Sequence, residues 1–345
     1  MKPPTFVPGA LKSVQIASAD LTRETPLDDG PHPLLLVEAR RPGIDLTGWA
    51  AARRAELEDK LLRHGGLLFR GFALESPAAF GTAAAAIAPA LLDYIERAAR
   101  RDEVAPKVFT STELASDQRI PLHHEMSYSH NWPGRIFFYC DQPAEWGGET
   151  PFAAERVFFP KLPQSIARRF IEHGVMYVRH FGEGVDLSWQ AAFQTTRREE
   201  VEDYCRASNT AWEWRDGDRL TTRQVRQAVA RHPVTGETVW FNHAHLFHES
   251  NLPPDVRATL RASLGAANLP RNAYYGDGSP IDDAVLDEIR GLYNACAGAF
   301  DWQRGDMLLL DNFLMVHGRN AYRGPRRILV AMADLCFGGT VHADR

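Results

Sequence analysis

The sequence predicts an α+β fold: a double-stranded β-helix (jelly-roll) core with flanking helices. Two observations predict it. Helical patterning in the first third gives way, from about Lys107, to short runs rich in Val, Ile, Leu, Phe and Tyr. Those runs are separated by Gly/Pro/Asp turns and by helical inserts, with no regular βαβ alternation, which favours packed sheets over a doubly wound parallel one. A single domain over 1–345 is expected, with a mainly helical part over 1–106 and the jelly-roll core over 107–337.

Each element has its own signal. Ala52 to His64 is amphipathic and stops at Gly65-Gly66, a C-terminal helix signature. Leu67-Leu68-Phe69, before Arg70-Gly71, reads as a short strand. Ser76-Pro77 reads as an N-cap followed by proline at the first helical position, and that helix is expected to run toward Arg100 with a kink near Pro89. Candidate strands follow at Val108 to Ser111, Arg135 to Cys140, Val175 to Phe181, Thr238 to Asn242, Asp306 to Leu310 and Arg327 to Ala333. Thr196-Arg197-Arg198-Glu199 fits a capping box. Val285, Ile289, Leu292 and Tyr293 give Ile281 to Gly298 helical spacing.

Composition narrows the function. The net charge of -5 supplies no basic field for nucleic acid or anionic membrane. No run approaches the roughly 18 apolar residues of a spanning helix, and the stretch Ala83 to Leu92 is broken by Pro89. Met1-Lys2-Pro3-Pro4 is followed by no apolar segment of the kind a signal peptide carries. Cys140, Cys205, Cys296 and Cys336 form no C-x-x-C pair and read as reduced thiols in a cytoplasm. The expected partner is a small molecule. Assembly into a homo-oligomer stays open.

The first chemical signal is Ile120-Pro121-Leu122-His123-His124-Glu125-Met126. In a strand, His123 and Glu125 are two apart and share a face, while His124 points away. A histidine brought from far along the chain would complete a facial triad on a metal and leave three positions open. Oxygen chemistry needs three: two for a chelating cosubstrate and one for O2. The triplet alone is weak among thirteen histidines. The second signal is an apolar strand and polar turn, Gly305 to Asn312, leading into Val316-His317-Gly318-Arg319. After it, Arg326-Arg327 opens another apolar strand. A guanidinium aimed into a barrel requires a carboxylate, and a dicarboxylate ligand would supply one bidentately. The third signal is Trp146-Gly147-Gly148-Glu149-Thr150-Pro151, where Thr150 offers a hydroxyl to that same carboxylate. Strand alternation puts one of Arg326 and Arg327 inside, and periodicity does not choose between them.

At these residues the chain resembles the TauD/TfdA superfamily of Fe(II)/2-oxoglutarate dioxygenases. The resemblance is closest to the branch with His-x-Glu in place of His-x-Asp, which includes clavaminate synthase-like, asparagine oxygenase-like and syringomycin-type enzymes. It rests on IPLHHEMSYS, GGETPF, HPVTGETVWFNHAHLFH, YYGDGSPI, GDMLLLDNFLMVHGR and GPRRILVAM, and runs from about Gly65 to Phe337. It implies that His123, Glu125 and His317 hold Fe(II). It implies that Thr150 and Arg327 take the remote carboxylate of 2-oxoglutarate, with Arg326 the neighbouring alternative, and that O2 is consumed. Two departures matter. The sulfonate-gripping arginine of taurine dioxygenases, four residues past the cosubstrate arginine, is Ala331 here, which argues against a sulfonate. Halogenases of this group lack the metal carboxylate, and Glu125 is present.

The implied reaction is hydroxylation of an unactivated C–H in an amino acid or amino-acid-derived natural-product intermediate, free or tethered to a carrier protein. Desaturation, epoxidation or cyclisation would use the same constellation. The competing readings are an iron oxygenase without 2-oxoglutarate and a non-enzymatic metal-binding jelly roll. An inward arginine with Thr150 argues against both. Ser127, Tyr128 and Asn242 are candidates for substrate contact, and Glu113 for a substrate amine. His243, His245 and His248 form a second imidazole-rich segment. It reads more readily as lining of the site mouth than as another metal site, because no carboxylate or thiolate sits at matching spacing.

Overall fold

The computed structural model describes residues 21–338 apart from Asp28, Pro31, Glu113, Glu183 and Val185. The expectation for Glu113 and that for the first four residues lie outside the described residues. The fold is a mixed α+β arrangement of several sheets with flanking helices. Its largest sheet has eight strands. In spatial order they are Thr22–Pro26, Leu35–Ala39, Gly66–Arg70, Met307–Asp311, Asn131–Gln142, Arg327–Phe337, Val108–Thr110 and Glu103–Ala105. All neighbours are antiparallel except Leu35–Ala39 with Gly66–Arg70.

Alternation along the strands builds two cores from one sheet. On Arg327–Phe337, Leu329, Ala331 and Ala333 pack with Trp49, Leu57, Leu61 and Phe80 of the N-terminal helices. Ile328, Val330 and Met332 face the other way, with Phe138, Cys140, Leu308 and Leu310. Both faces of the central strands are therefore covered, which is why Met307–Asp311 reads as a continuous apolar run rather than an alternating one. A three-stranded sheet, Ile120–His123, Met315–Arg319 and Phe152–Ala154, sets His123 and His317 side by side. A four-stranded sheet contains Ala211–Arg215, Arg219–Arg226, Val175–Phe181 and Arg271–Tyr275. No sheet closes into a barrel among the described residues.

Several local expectations need adjusting. The N-terminal part supplies four strands of the large sheet besides its helices. The helix capped by Ser76, whose hydroxyl accepts from Ala79 N at 3.2 Å, spans Pro77–Ile87 and goes no further. Pro89 disfavours helical geometry at the residue before it, and Ala88 is already extended. The chain beyond it bonds to the sheet instead, through Leu92 N to Met332 O at 2.8 Å. The capping box at Thr196 does not form. The helix is Arg198–Ala207, and the hydroxyl of Thr195, not Thr196, accepts from Arg197 N at 3.1 Å. By contrast Gly65, at φ 74°, ends the helix Arg54–His64 as its position predicts.

Candidate metal centre

Strand pairing assembles the centre. Met315–Arg319 lies antiparallel between Ile120–His123 and Phe152–Ala154, and His317 is in register with both His123 and Phe152. Imidazoles nearly 200 residues apart thus meet with ring centroids 4.6 Å apart. Glu125 falls just past the end of its strand, in the turn that contains Met126 at φ 57°. It still shares the face of His123. Its Oε2 lies 3.7 Å from His317 Nε2. Ligand atoms of His123, Glu125 and His317 all lie within 4.8 Å of one another, and no other such group exists among the described residues.

Three features hold Glu125 beyond its strand. Asn312 clamps its backbone: Glu125 N donates to Asn312 Oδ1 at 2.8 Å, and Asn312 Nδ2 donates to Glu125 O at 2.9 Å. His124 points away from the triad. Its Nδ1 donates to Asn312 O at 2.6 Å, and its Nε2 meets Glu155 Oε1 at 3.1 Å. Arg101, 4% exposed, donates through one nitrogen to both carboxylate oxygens of Glu125, at 3.1 and 2.9 Å.

The protonation states suit a divalent cation. His123 Nδ1 donates to Pro121 O at 2.8 Å, which leaves the Nε2 lone pair for a ligand. Burial, reinforced by His317, pushes His123 down to about 3, and burial also lowers His317, so both imidazoles stay neutral. Burial alone would raise Glu125. Arg101 and His317 more than offset it and hold the carboxyl well below its usual range. Two neutral nitrogens and one carboxylate form the facial donor set of non-haem Fe(II) sites. Donors about 2.1 Å from one ion lie roughly 3 to 4 Å apart, so small side-chain rotations suffice. The buried Nδ1 of His317 has no hydrogen-bond partner among the described residues, so no hydrogen bond there opposes such an adjustment.

Beside the triad lies the Gly147-Gly148 turn. Gly147 and Gly148 have φ of 69° and 75°, and a Cβ on Gly147 would sit 2.3 Å from Ala321 O. Arg326 packs against Gly148, with Nε donating to Gly148 O at 2.9 Å. It forms no ion pair with a described residue, and burial drives it down to about 10. Arg327 is turned the other way: its side chain is 46% exposed and donates to Asp141 Oδ2 at 2.8 Å. Of the two candidates, Arg326 is the one packed against the Gly148 turn, and Arg327 faces outward. The pairing slips by one residue between Arg327 and Ile328, which puts Asp141 beside Arg327 on the outer side. With Arg326 inward, the residue four further on is Val330, as apolar as Ala331. Thr150 is buried and its Oγ1 accepts from Trp302 Nε1 at 3.1 Å, which leaves its own proton for a carboxylate oxygen.

On the other side of the triad a cavity of about 880 Å³ reaches His123 and Glu125. Arg101, Tyr128, His243, Phe247 and Arg271 help line it. Of the three residues considered for substrate contact, Tyr128 lines this cavity, whereas Ser127 and Asn242 do not. Ser127 Oγ bonds His243 Nδ1 at 3.0 Å. Asn242 uses its amide on Ala228 O and Ala244 N, a turn-building role. The imidazole-rich segment divides its tasks: His243 faces the cavity, His245 Nε2 donates to Leu122 O at 2.7 Å, and His248 Nδ1 meets Ser250 Oγ at 2.9 Å. Sequence reasoning missed Arg101 and passed over Asn312 as part of a polar turn. No spacing rule connects either to Glu125.

Residues 25–332 match the family described as taurine catabolism dioxygenase TauD, TfdA family. The dapdiamide synthesis protein DdaC of Enterobacter agglomerans is 41% identical over 278 residues, 81% of this chain and 84% of that protein. A clavaminate synthase-like protein of Arabidopsis thaliana is 34% identical over 292 residues, with the same coverage of each chain. Among solved structures, PvcB, an Fe, alpha-ketoglutarate-dependent oxygenase from an isonitrile synthetic pathway, superposes with a TM-score of 0.53 at 16% identity, covering 95% of this chain and 98% of that one. Among the described residues no helix is long and apolar enough to cross a membrane.

Proposed function

The chain belongs to the TauD/TfdA family of Fe(II)/2-oxoglutarate-dependent oxygenases, and we propose that it hydroxylates an unactivated C–H of an amino-acid-derived intermediate in natural-product biosynthesis. The observation that carries the reaction class is the convergence of His123, Glu125 and His317 within 4.8 Å. The substrate class rests on the 41% identity to a dapdiamide synthesis protein. A cavity of about 880 Å³ is roomy for a free amino acid and suits an acylated or peptidyl one. It suits equally a substrate delivered on a carrier-protein arm. The paired sheets are read as the two halves of a jelly roll, with the triad at its mouth.

His123, Glu125 and His317 would hold Fe(II), which supplies the oxidative chemistry when 2-oxoglutarate and O2 are present. The protein's own part is placement. Arg326 and the hydroxyl of Thr150 take the remote carboxylate of 2-oxoglutarate beside the Gly148 turn. Tyr128 and His243 line the substrate side, and His243 is kept neutral by burial. Succinate formation by purified protein with Fe(II), 2-oxoglutarate and a panel of amino acids and acylated amino acids tests this reading. Substrate-stimulated succinate, lost in His317→Ala, is expected. Failure to bind 2-oxoglutarate in the presence of Fe(II) under anaerobic conditions would overturn it.

A further inference from the structure

We infer that Arg101 is a positioning residue that holds Glu125 to one-oxygen metal coordination, and so keeps a third coordination position open. This inference rests on the metal reading of the triad. The reasoning starts from geometry. Arg101 and Glu125 are both at least nine-tenths buried, and a single guanidinium nitrogen reaches both carboxylate oxygens. The oxygen nearer the guanidinium, Oε2, is also the one 3.7 Å from His317 Nε2. Oε1 is 3.1 Å from Arg101 and accepts from no other side chain among the described residues, so a grip on the carboxylate persists whichever oxygen turns to a metal.

Arg101 is itself fixed. Its guanidinium lies 4.6 Å from the centroid of the Tyr94 ring, Nη2 also reaches Thr112 Oγ1 at 3.3 Å, and its carbonyl accepts from Arg97 Nη1 at 2.9 Å. Its Nε and Nη1 have no hydrogen-bond partner among the described residues, so Nη2 alone carries its hydrogen bonds. A carboxylate without such a partner can chelate a cation through both oxygens. Two imidazoles plus a chelating carboxylate fill four of six positions and leave two. A dicarboxylic keto acid bound through two atoms would then leave none. With one oxygen tied to Arg101, three positions remain. The guanidinium also draws charge from the carboxylate, so this arrangement gives up some metal affinity in exchange for open positions.

The test compares wild type, Arg101→Met and Arg101→Lys, loaded with Co(II) in place of iron and kept anaerobic. Metal affinity is measured first without 2-oxoglutarate, then 2-oxoglutarate affinity by titration, and X-ray absorption reads the carboxylate mode. Arg101→Met is expected to bind Co(II) as tightly as wild type or several-fold more tightly, with Glu125 chelating, while 2-oxoglutarate binding weakens at least tenfold. Arg101→Lys is expected to fall between, since one ammonium keeps the charge with a less rigid grip. If Arg101→Met does not fold, Arg101→Lys decides: no loss of 2-oxoglutarate affinity overturns the inference. Unchanged one-oxygen coordination in Arg101→Met, or loss of metal and 2-oxoglutarate together, also overturns it. A wild-type protein that binds Co(II) but not 2-oxoglutarate would instead sink the cosubstrate reading, and the coordination measurement would still judge Arg101.

Discussion

Replacing Arg326 and Arg327 by glutamine, one at a time, should separate the cosubstrate arginine from its neighbour. Arg326 is largely buried beside Gly148 and has no carboxylate of its own among the described residues. Removing one partner of a desolvated, hydrogen-bonded charge pair costs about 2–5 kcal/mol. Arg326 keeps some solvent contact, so the lower half of that range, about 2–3 kcal/mol, is the expectation. At about 1.4 kcal/mol per factor of ten, the Kd for 2-oxoglutarate should rise roughly 30- to 150-fold in Arg326→Gln. Arg327 is bonded to Asp141 with its side chain 46% exposed. Such a surface pair contributes at most about 1 kcal/mol to stability and nothing to the site. Arg327→Gln should therefore leave the Kd within about twofold. The assay is anaerobic titration of 2-oxoglutarate into Fe(II)-loaded protein, followed by its charge-transfer absorption. A large loss in Arg327→Gln with Arg326→Gln unaffected would refute the inward placement of Arg326.

Three further expectations follow from the same geometry. Asn312→Ala removes the side-chain bonds to Glu125 N, Glu125 O and Pro133 O, leaving buried backbone groups unpaired. It should lower unfolding free energy in urea by about 2–4 kcal/mol and weaken metal binding by isothermal titration, whereas a stable variant with normal metal affinity would contradict the clamp. Gly148→Ala places a Cβ 2.9 Å from Arg326 Cδ and Nε at φ 75°. It should weaken 2-oxoglutarate binding without changing Co(II) affinity, and an equal loss of both would count against it. His245 is pushed by burial down to about 4, below the 6.5 expected in the unfolded chain. The unfolded chain therefore binds a proton that the folded protein refuses, and stability is lost as pH falls from about 6.5 to 4. The loss is roughly 3 kcal/mol for this group. Urea denaturation at several pH values should show the dependence flatten in His245→Gln, and an unchanged slope would refute it.

The triad was legible because two of its members obey a local rule and the third ends a recognisable run. His123 and Glu125 share a face at a spacing of two, and His317 follows the apolar strand that leads out of Gly305. The choice between Arg326 and Arg327 was not legible. Ile328 and Val330 line one core while Leu329 and Ala331 line the other, so no polar position marks the phase of the strand. The phase is set by a slip in pairing with Asn131–Gln142, which belongs to tertiary structure. Arg101 was hidden for a different reason: it lies between elements, 24 residues from Glu125, and only the folded chain brings them to 2.9 Å. The edge strand Thr22–Pro26, of sequence TRETP, escaped because it has nothing apolar to alternate.

Two largely buried arginines flank the centre, and what each already touches assigns their parts. Arg101 has a carboxylate, and Glu125 raises it above the ordinary guanidinium value despite full burial. Arg326 has none, and burial drives it down to about 10. A buried cation without an anion is a standing cost that an arriving dicarboxylate removes, whereas a cation already paired gains little from a second anion. On the proposed reading the dianion is therefore drawn to the Arg326 side, beside Gly148 and Thr150, and the cavity on the Arg101 side is left for the substrate. That asymmetry would reverse if Glu125 were neutralised. In Glu125→Gln, Arg101 loses its partner, and the substrate-side cavity should acquire affinity for small anions that wild type lacks. Calorimetric titration of acetate into Glu125→Gln, measured against wild type, would detect it, and equal anion affinity in both proteins would mean that Arg101 is not held neutralised by Glu125.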